Sequence, residues 1–142
     1  MPHTARAHWE GDLKNGKGTI GLGSGAFEGP YSFKARFEGA PGTTPEELLG
    51  AAHAGCFTMA VSLGLSSAGH PPTRLDTSAA VTLAKAGDAF AITRIDLTLE
   101  GVVPGISEAD FRRLAEDAKA TCIVSRALNV PMTLEARLLP GH

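Results

Sequence analysis

The sequence predicts an α+β domain, and three observations predict it. Apolar residues alternate with polar ones along several short stretches, the mark of half-buried strands. Between them lies one long segment that is apolar on nearly every side and opens on a strong helix-start signal. A second helical segment, amphipathic, precedes a last alternating run. The order is therefore a strand group, a helix, two strands, a helix and a strand.

Glycine and proline punctuate the first part of the chain, and the short runs between them read as strands joined by turns. Residues 5–9 are the first and residues 18–22 the second, with Asn15-Gly16 between them as a hairpin-turn signal. A third strand is expected where Tyr31, Phe33, Ala35 and Phe37 alternate with Ser32, Lys34, Arg36 and Glu38. Thr44-Pro45-Glu46-Glu47 then starts a helix. Thr44 and Glu47 have capping-box spacing, and Pro45 takes the first helical position, where its missing N–H costs nothing.

From there to about Ser67 no charged residue follows Glu47, so this helix should be buried on most sides. At ~1.5 Å per residue it spans about 35 Å, more than one 142-residue chain can readily cover. Burial by a second copy predicts an obligate homodimer. Gly69 and Pro71-Pro72 close the helix.

A strand follows through Leu75, Thr77, Ala79, Val81 and Leu83, and Ala86-Gly87-Asp88 turns it into another from about Phe90 to Val103. The apolar phase of that second strand shifts between Ile92 and Ile95, which predicts a bulge. Ser107 with Asp110 caps a helix through Phe111, Leu114, Ala115 and Ala118, with Cys122 at or just past its end. Residues 132–138 alternate cleanly as a last strand after Pro131.

Composition narrows the function classes. A chain of 142 residues with 43% hydrophobic and 20% charged content is expected to form a single domain, 1–142, with a real core. The net charge is −2 and the basic residues are scattered, so neither nucleic acid nor an anionic membrane surface is an expected partner. No stretch is read as approaching the roughly 20 apolar residues of a membrane span. Residues 1–10 carry His3, Arg6, His8 and Trp9, unlike a signal peptide. Two cysteines cannot make a secreted disulfide framework, so the expected compartment is a reducing cytoplasm, where a cysteine pair is more often reactive than structural.

Those cysteines are the first candidates for chemistry. Cys56 falls in mid-helix among Ala52, Phe57, Met59 and Ala60, apolar surroundings that disfavour a thiolate. Taken alone it reads as a small core hydrophobe, and a reactive Cys56 needs a cation delivered from elsewhere in the fold. Cys122 lies 66 residues further on. If the two Cα atoms come within ~7 Å the pair can close a disulfide; otherwise both are core residues. His53, three residues before Cys56, reads as a packing or hydrogen-bonding residue; a ligand of a metal shared with both cysteines and a base for a hydrolytic cysteine are the weaker readings. Arg36 alone reads as a solvated strand residue. Glu47 is accounted for by the capping box, which leaves Glu46 free for another task.

The run Gly42-Thr43-Thr44-Pro45-Glu46-Glu47-Leu48-Leu49-Gly50-Ala51-Ala52-His53-Ala54-Gly55-Cys56-Phe57 resembles the signature of the OsmC/Ohr family of hydroperoxide-reducing enzymes. His8-Trp9-Glu10-Gly11, Arg36-Phe37-Glu38-Gly39, Val103-Pro104-Gly105 and Cys122-Ile123-Val124-Ser125 fall in that family's order, so the resemblance covers residues 6 to 139. His8-Trp9 and His53 resemble the OsmC branch (osmotically inducible protein C), since the Ohr branch typically has Tyr at the position of His53. Ile123 departs from the proline that relatives often carry after the second cysteine.

The resemblance implies an intertwined α+β homodimer, with antiparallel sheets wrapped around two long central helices. It implies a cysteine-based peroxidase active in oxidative and osmotic stress defence. Cys56 would be the peroxidatic cysteine, Cys122 the resolving one, Arg36 the cation that holds Cys56 as thiolate, and Glu46 the carboxylate that orients Arg36. Cys56 would attack the peroxide and become a sulfenic acid; Cys122 would condense with it to a disulfide. An external dithiol, lipoyl on a protein or thioredoxin-type, would reduce that disulfide, with no metal, haem or flavin cofactor. Glu46 and Cys56 are ten residues apart on one helix, about 15 Å, so a site holding both is expected to draw them from different subunits. The competing expectation is a non-catalytic dimeric module that binds a hydrophobic ligand between its helices.

Overall fold

The computed structural model describes residues 1–141, which fall into two compact units, Met1–Leu48 and the remainder from Leu49. The first unit is built on a three-stranded antiparallel sheet of β1 (Ala5–Glu10), β2 (Lys17–Leu22) and β3 (Glu28–Tyr31) in that order. The β1–β2 hairpin forms, but not with a two-residue Asn15-Gly16 turn. Glu10 pairs with Lys17 across residues 11–16. There the Asp12 carboxylate accepts from the Asn15 N–H at 2.7 Å, and Gly11 takes the positive φ of 96°.

The expected third strand over residues 31–38 is also corrected. Only Tyr31 belongs to β3, and Phe33–Glu38 is a short helix, α1. The alternation misled because Phe33 and Phe37 also share a face at helical i, i+4 spacing, where their rings pack 4.9 Å apart. Capping decides between the two: Ser32 Oγ accepts from Ala35 N–H at 3.0 Å at one end, and Gly39 closes the other at φ 71°. After α1 the chain returns to the sheet edge through a parallel bridge between Tyr31 and Thr43.

α2 spans Pro45–Ser67. Thr44 Oγ1 accepts from Glu47 N–H at 2.9 Å, but Glu47 does not complete the expected box; its carboxylate takes the Thr43 hydroxyl at 3.0 Å. The helix ends in a Schellman motif, with His70 N–H on Leu65 C=O and Gly69 at φ 86°.

In the second unit β4 (Arg74–Ala86), β5 (Ala89–Val102) and β6 (Met132–Leu138) form another three-stranded sheet. β4 and β5 are antiparallel around a Gly87-Asp88 turn, and their register shifts at Thr82/Leu83, opposite the phase change read between Ile92 and Ile95. β6 runs parallel to β5, so the expectation of wholly antiparallel sheets fails there. The reason is the connection: α3 (Glu108–Thr121) and α4 (Ile123–Ala127) carry the chain back as a crossover, which only a parallel partner needs.

The core of this unit joins Phe57, Val61 and Leu65 of α2, Ile95, Leu97 and Leu99 of β5, and Phe111, Ala115 and Ala118 of α3. Each set follows its element's period, three or four along the helices and two along the strand. α2 is apolar on its other side too, and there Met59 and Leu63 are 76% and 70% exposed. Two sequence expectations change as a result. The helix is not buried on most sides, since only 28% of its apolar window is buried in the chain. By length and composition it is also long and apolar enough to cross a membrane. The expectation that no stretch approaches such a span fails here, because no charged residue follows Glu47 in the helix.

Candidate active site

In the first unit, α1 carries Arg36 in its last turn and α2 carries Glu46 in its first. The two meet: Arg36 Nε donates to Glu46 Oε1 at 2.8 Å, and Nη2 reaches the same oxygen at 2.7 Å. Glu46 is 8% exposed at its side chain and Arg36 41%, so a nearly buried carboxylate anchors a guanidinium that water still reaches. The other oxygen, Oε2, is buried without a hydrogen-bond partner among the described residues. Arg36 is therefore neither on a strand nor simply solvated. It lies over the Phe37 ring, 5.4 Å from the centroid, and borders a cavity of about 220 Å³ with Trp9 and Tyr31. Glu46, the carboxylate that capping left free, is the one that binds it.

In the second unit, Cys56 is half-buried rather than enclosed, because it lies on the open side of α2, adjacent to Met59 and Leu63. Cys122 is 3% exposed and sits at the junction of two helices, as C-cap of α3 and N-cap of α4. Both are free thiols, and both line one apolar cavity of about 990 Å³ with Met59, Leu63, Leu114 and Ile123. Ile123 is 76% exposed at the mouth of this space.

His53 does not line the cavity and is fully buried. Its Nε2 is 2.7 Å from Ser125 Oγ, and burial lowers its pKa from the ordinary 6.5. Ser125 also meets Cys122: the thiol donates to Ser125 Oγ at 3.2 Å, while Ser125 N–H donates to Cys122 Sγ at 3.3 Å. His53, Cys56 and Cys122 do not converge as ligands; among the described residues no group of three His, Cys, Asp or Glu side chains could hold a metal ion.

Ser125 and α4 are what the sequence reading missed. The available signal was the Cys122-Ile-Val-Ser125 spacing, in which a side chain caps the backbone three residues on.

The family model of the OsmC-like proteins matches residues 37–136, and the chain belongs to this family. Peroxiredoxin OsmC of Escherichia coli strain K12 is 52% identical over 134 residues, 94% of each chain, and Peroxiredoxin OsmC of Shigella flexneri matches equally. Among solved structures, an OsmC-like protein of unknown function from Vibrio cholerae O1 biovar eltor strain N16961 superposes with a TM-score of 0.76 at 15% identity. It covers 96% of this chain and 99% of its own. The organic hydroperoxide resistance protein OhrB of Bacillus subtilis gives 0.68 at 22% identity, over 96% and 98%. At those identities the two structures establish the fold alone.

Proposed function

We propose that this chain, a peroxidase by its kinship with the peroxiredoxins, reduces organic hydroperoxides, and hydrogen peroxide as a further substrate, through Cys56 and Cys122. The observation that carries this reading is that the two thiols line the same apolar cavity, space suited to an alkyl hydroperoxide. The Cys56 thiolate attacks the terminal peroxide oxygen, the O–O bond breaks, and the alkoxide leaves as the alcohol after taking a proton. Cys56 is then a sulfenic acid. Cys122 attacks its sulfur, water leaves, and an intramolecular disulfide forms. An external dithiol, lipoyl on a protein or thioredoxin-type, returns two electrons; the sulfur does the redox work and no cofactor takes part.

Thiolate chemistry in apolar surroundings needs a cation, and Arg36, anchored by Glu46, is the candidate. Glu46 lies in the first turn of α2 and Cys56 ten residues on, so the Arg36–Glu46 pair is assigned to Cys56 of the partner subunit. This requires the intertwined homodimer, with the exposed Met59 and Leu63 face of each α2 as a central helix covered by the second copy rather than by lipid. Both compact units then serve one OsmC-like domain in the cytoplasm, in defence against oxidative and osmotic stress.

Steady-state turnover with cumene hydroperoxide or hydrogen peroxide, using dihydrolipoamide and then thioredoxin, tests the reading. Cys56→Ser should abolish peroxide consumption; unchanged turnover would end the reading, and a wild-type protein that neither consumes peroxide nor loses thiols would favour a passive ligand-binding dimer. Mixing Cys56→Ser with Arg36→Met should restore about a quarter of wild-type activity, because half of the dimers then hold one complete composite site. No restoration would place both groups in one subunit.

A further inference from the structure

The Cys122–Ser125–His53 chain is buried throughout, with Ser125 9% exposed and His53 fully enclosed, and neither Ser125 nor His53 lines the cavity that the two thiols share. We infer that Ser125 and His53 form a proton relay for the resolving step, taking the Cys122 proton as its sulfur attacks the Cys56 sulfenic acid. This rests on the roles proposed above for the two cysteines.

Three observations support the relay. First, its contacts are continuous. The Cys122 thiol reaches Ser125 Oγ at 3.2 Å, and that oxygen lies 2.7 Å from His53 Nε2, so in the Nδ1–H tautomer the Ser125 hydroxyl proton is directed at Nε2. Second, Ser125 N–H already donates to Cys122 Sγ, so the backbone stabilises the anion that remains once the proton has gone. Third, both ends are fixed to the reacting pair. His53 lies one turn before Cys56 on α2, and Ser125 one turn after Cys122 on α4, so one relay ties the two cysteine-bearing segments together. Burial also keeps His53 uncharged and able to accept, consistent with its lowered pKa.

The step balances. The Cys122 S–H proton passes to Ser125 Oγ while the Ser125 hydroxyl proton passes to His53 Nε2. The S–S bond forms, the Cys56 S–O bond breaks, and the departing hydroxide is protonated by solvent. His53 then returns its proton to solvent, so a sulfenic acid and a thiol give a disulfide and one water. In this direction neutral His53 must hold its own proton on Nδ1, the buried nitrogen that has no hydrogen-bond partner among the described residues.

The test follows a single turnover. The enzyme is mixed with one equivalent of cumene hydroperoxide, and the Cys56 sulfenic acid is trapped with dimedone at timed intervals. Ser125→Ala and His53→Gln should form the sulfenic acid at the wild-type rate and condense it to the disulfide about 100-fold more slowly, within the range of general base catalysis. Ser125→Thr, which keeps the hydroxyl, should condense within a few-fold of wild type; a merely structural fault would not be repaired by that hydroxyl. The ¹⁵N shifts of the native His53 ring should report the Nδ1–H tautomer. Wild-type condensation in both Ser125→Ala and His53→Gln, or an Nε2–H tautomer, would overturn the relay and leave the cysteine roles standing. If Cys122→Ser gave no dimedone adduct on Cys56, both would fall together.

Discussion

Removing Arg36 tests whether the site's cation is held by a buried carboxylate. In Arg36→Met, Glu46 loses both contacts to Oε1, and its Oε2 has none to begin with. A carboxylate 8% exposed is then left without a hydrogen-bonding charge partner. Stranding one member of a fully buried ion pair costs about 3–5 kcal/mol. Arg36 is 41% exposed, so water can enter the space it vacates, and about 2 kcal/mol is the expected loss. For a chain of this length that lowers Tm by roughly 4–8 °C.

The diagnostic variant is the double one. Arg36→Met with Glu46→Gln removes the stranded charge, so it should be more stable than Arg36→Met alone by about 1 kcal/mol, a coupling within the range of contacting pairs. Urea unfolding of wild type, both single variants and the double variant closes the cycle. If the double variant shows the simple sum of the two single losses, Glu46 does not carry its charge against Arg36, and the anchoring account fails.

Other variants probe the fold and the interface. Gly101→Ala would place a Cβ 2.9 Å from Phe111 Cζ and 3.0 Å from Leu75 Cδ2, in the closed core of the second unit. Urea unfolding should show a loss of about 1–3 kcal/mol from overpacking. Leu63→Glu puts a charge at a position 70% exposed in one chain, so within a chain it should cost under about 0.5 kcal/mol. Sedimentation should nonetheless show it dissociated, since that face is proposed as the dimer seam; an unchanged mass would count against the seam.

His53 gives a pH signature. Its folded pKa is lowered from 6.5, so its contribution to stability is complete above about pH 6.5 and lost as pH falls from there towards the folded value. His53→Gln should flatten that part of the stability–pH curve, measured by urea midpoints from pH 5 to 8.

The elements most legible in the sequence were those whose local signals agreed. Thr44-Pro45 opened α2, Gly69 closed it, and the Ile92–Ile95 phase change marked the bulge between β4 and β5. Residues 31–38 misled because Phe33 and Phe37 satisfy the periods of strand and helix alike, and only the Ser32 and Gly39 caps separate them. The parallel pairing of β6 was not legible, since strand direction depends on the whole crossover and not on residues 132–138.

At the site, the family signature nominated Arg36, Glu46, Cys56 and Cys122, and capping logic separated Glu46 from Glu47. Ser125 escaped notice because its importance is spatial: it is 72 residues from His53, and no local pattern joins them. Cys56 was read as enclosed because α2 is apolar all round. Which side of such a helix meets the core is decided by Phe57, Val61 and Leu65 packing on β5 and α3.

The most direct test of the central claim is a thiol count and intact mass before and after one equivalent of cumene hydroperoxide. The account predicts rapid loss of both thiols, a mass lower by two hydrogens, and a tryptic peptide joining Cys56 to Cys122. Two thiols still free, with the hydroperoxide unconsumed, would contradict it.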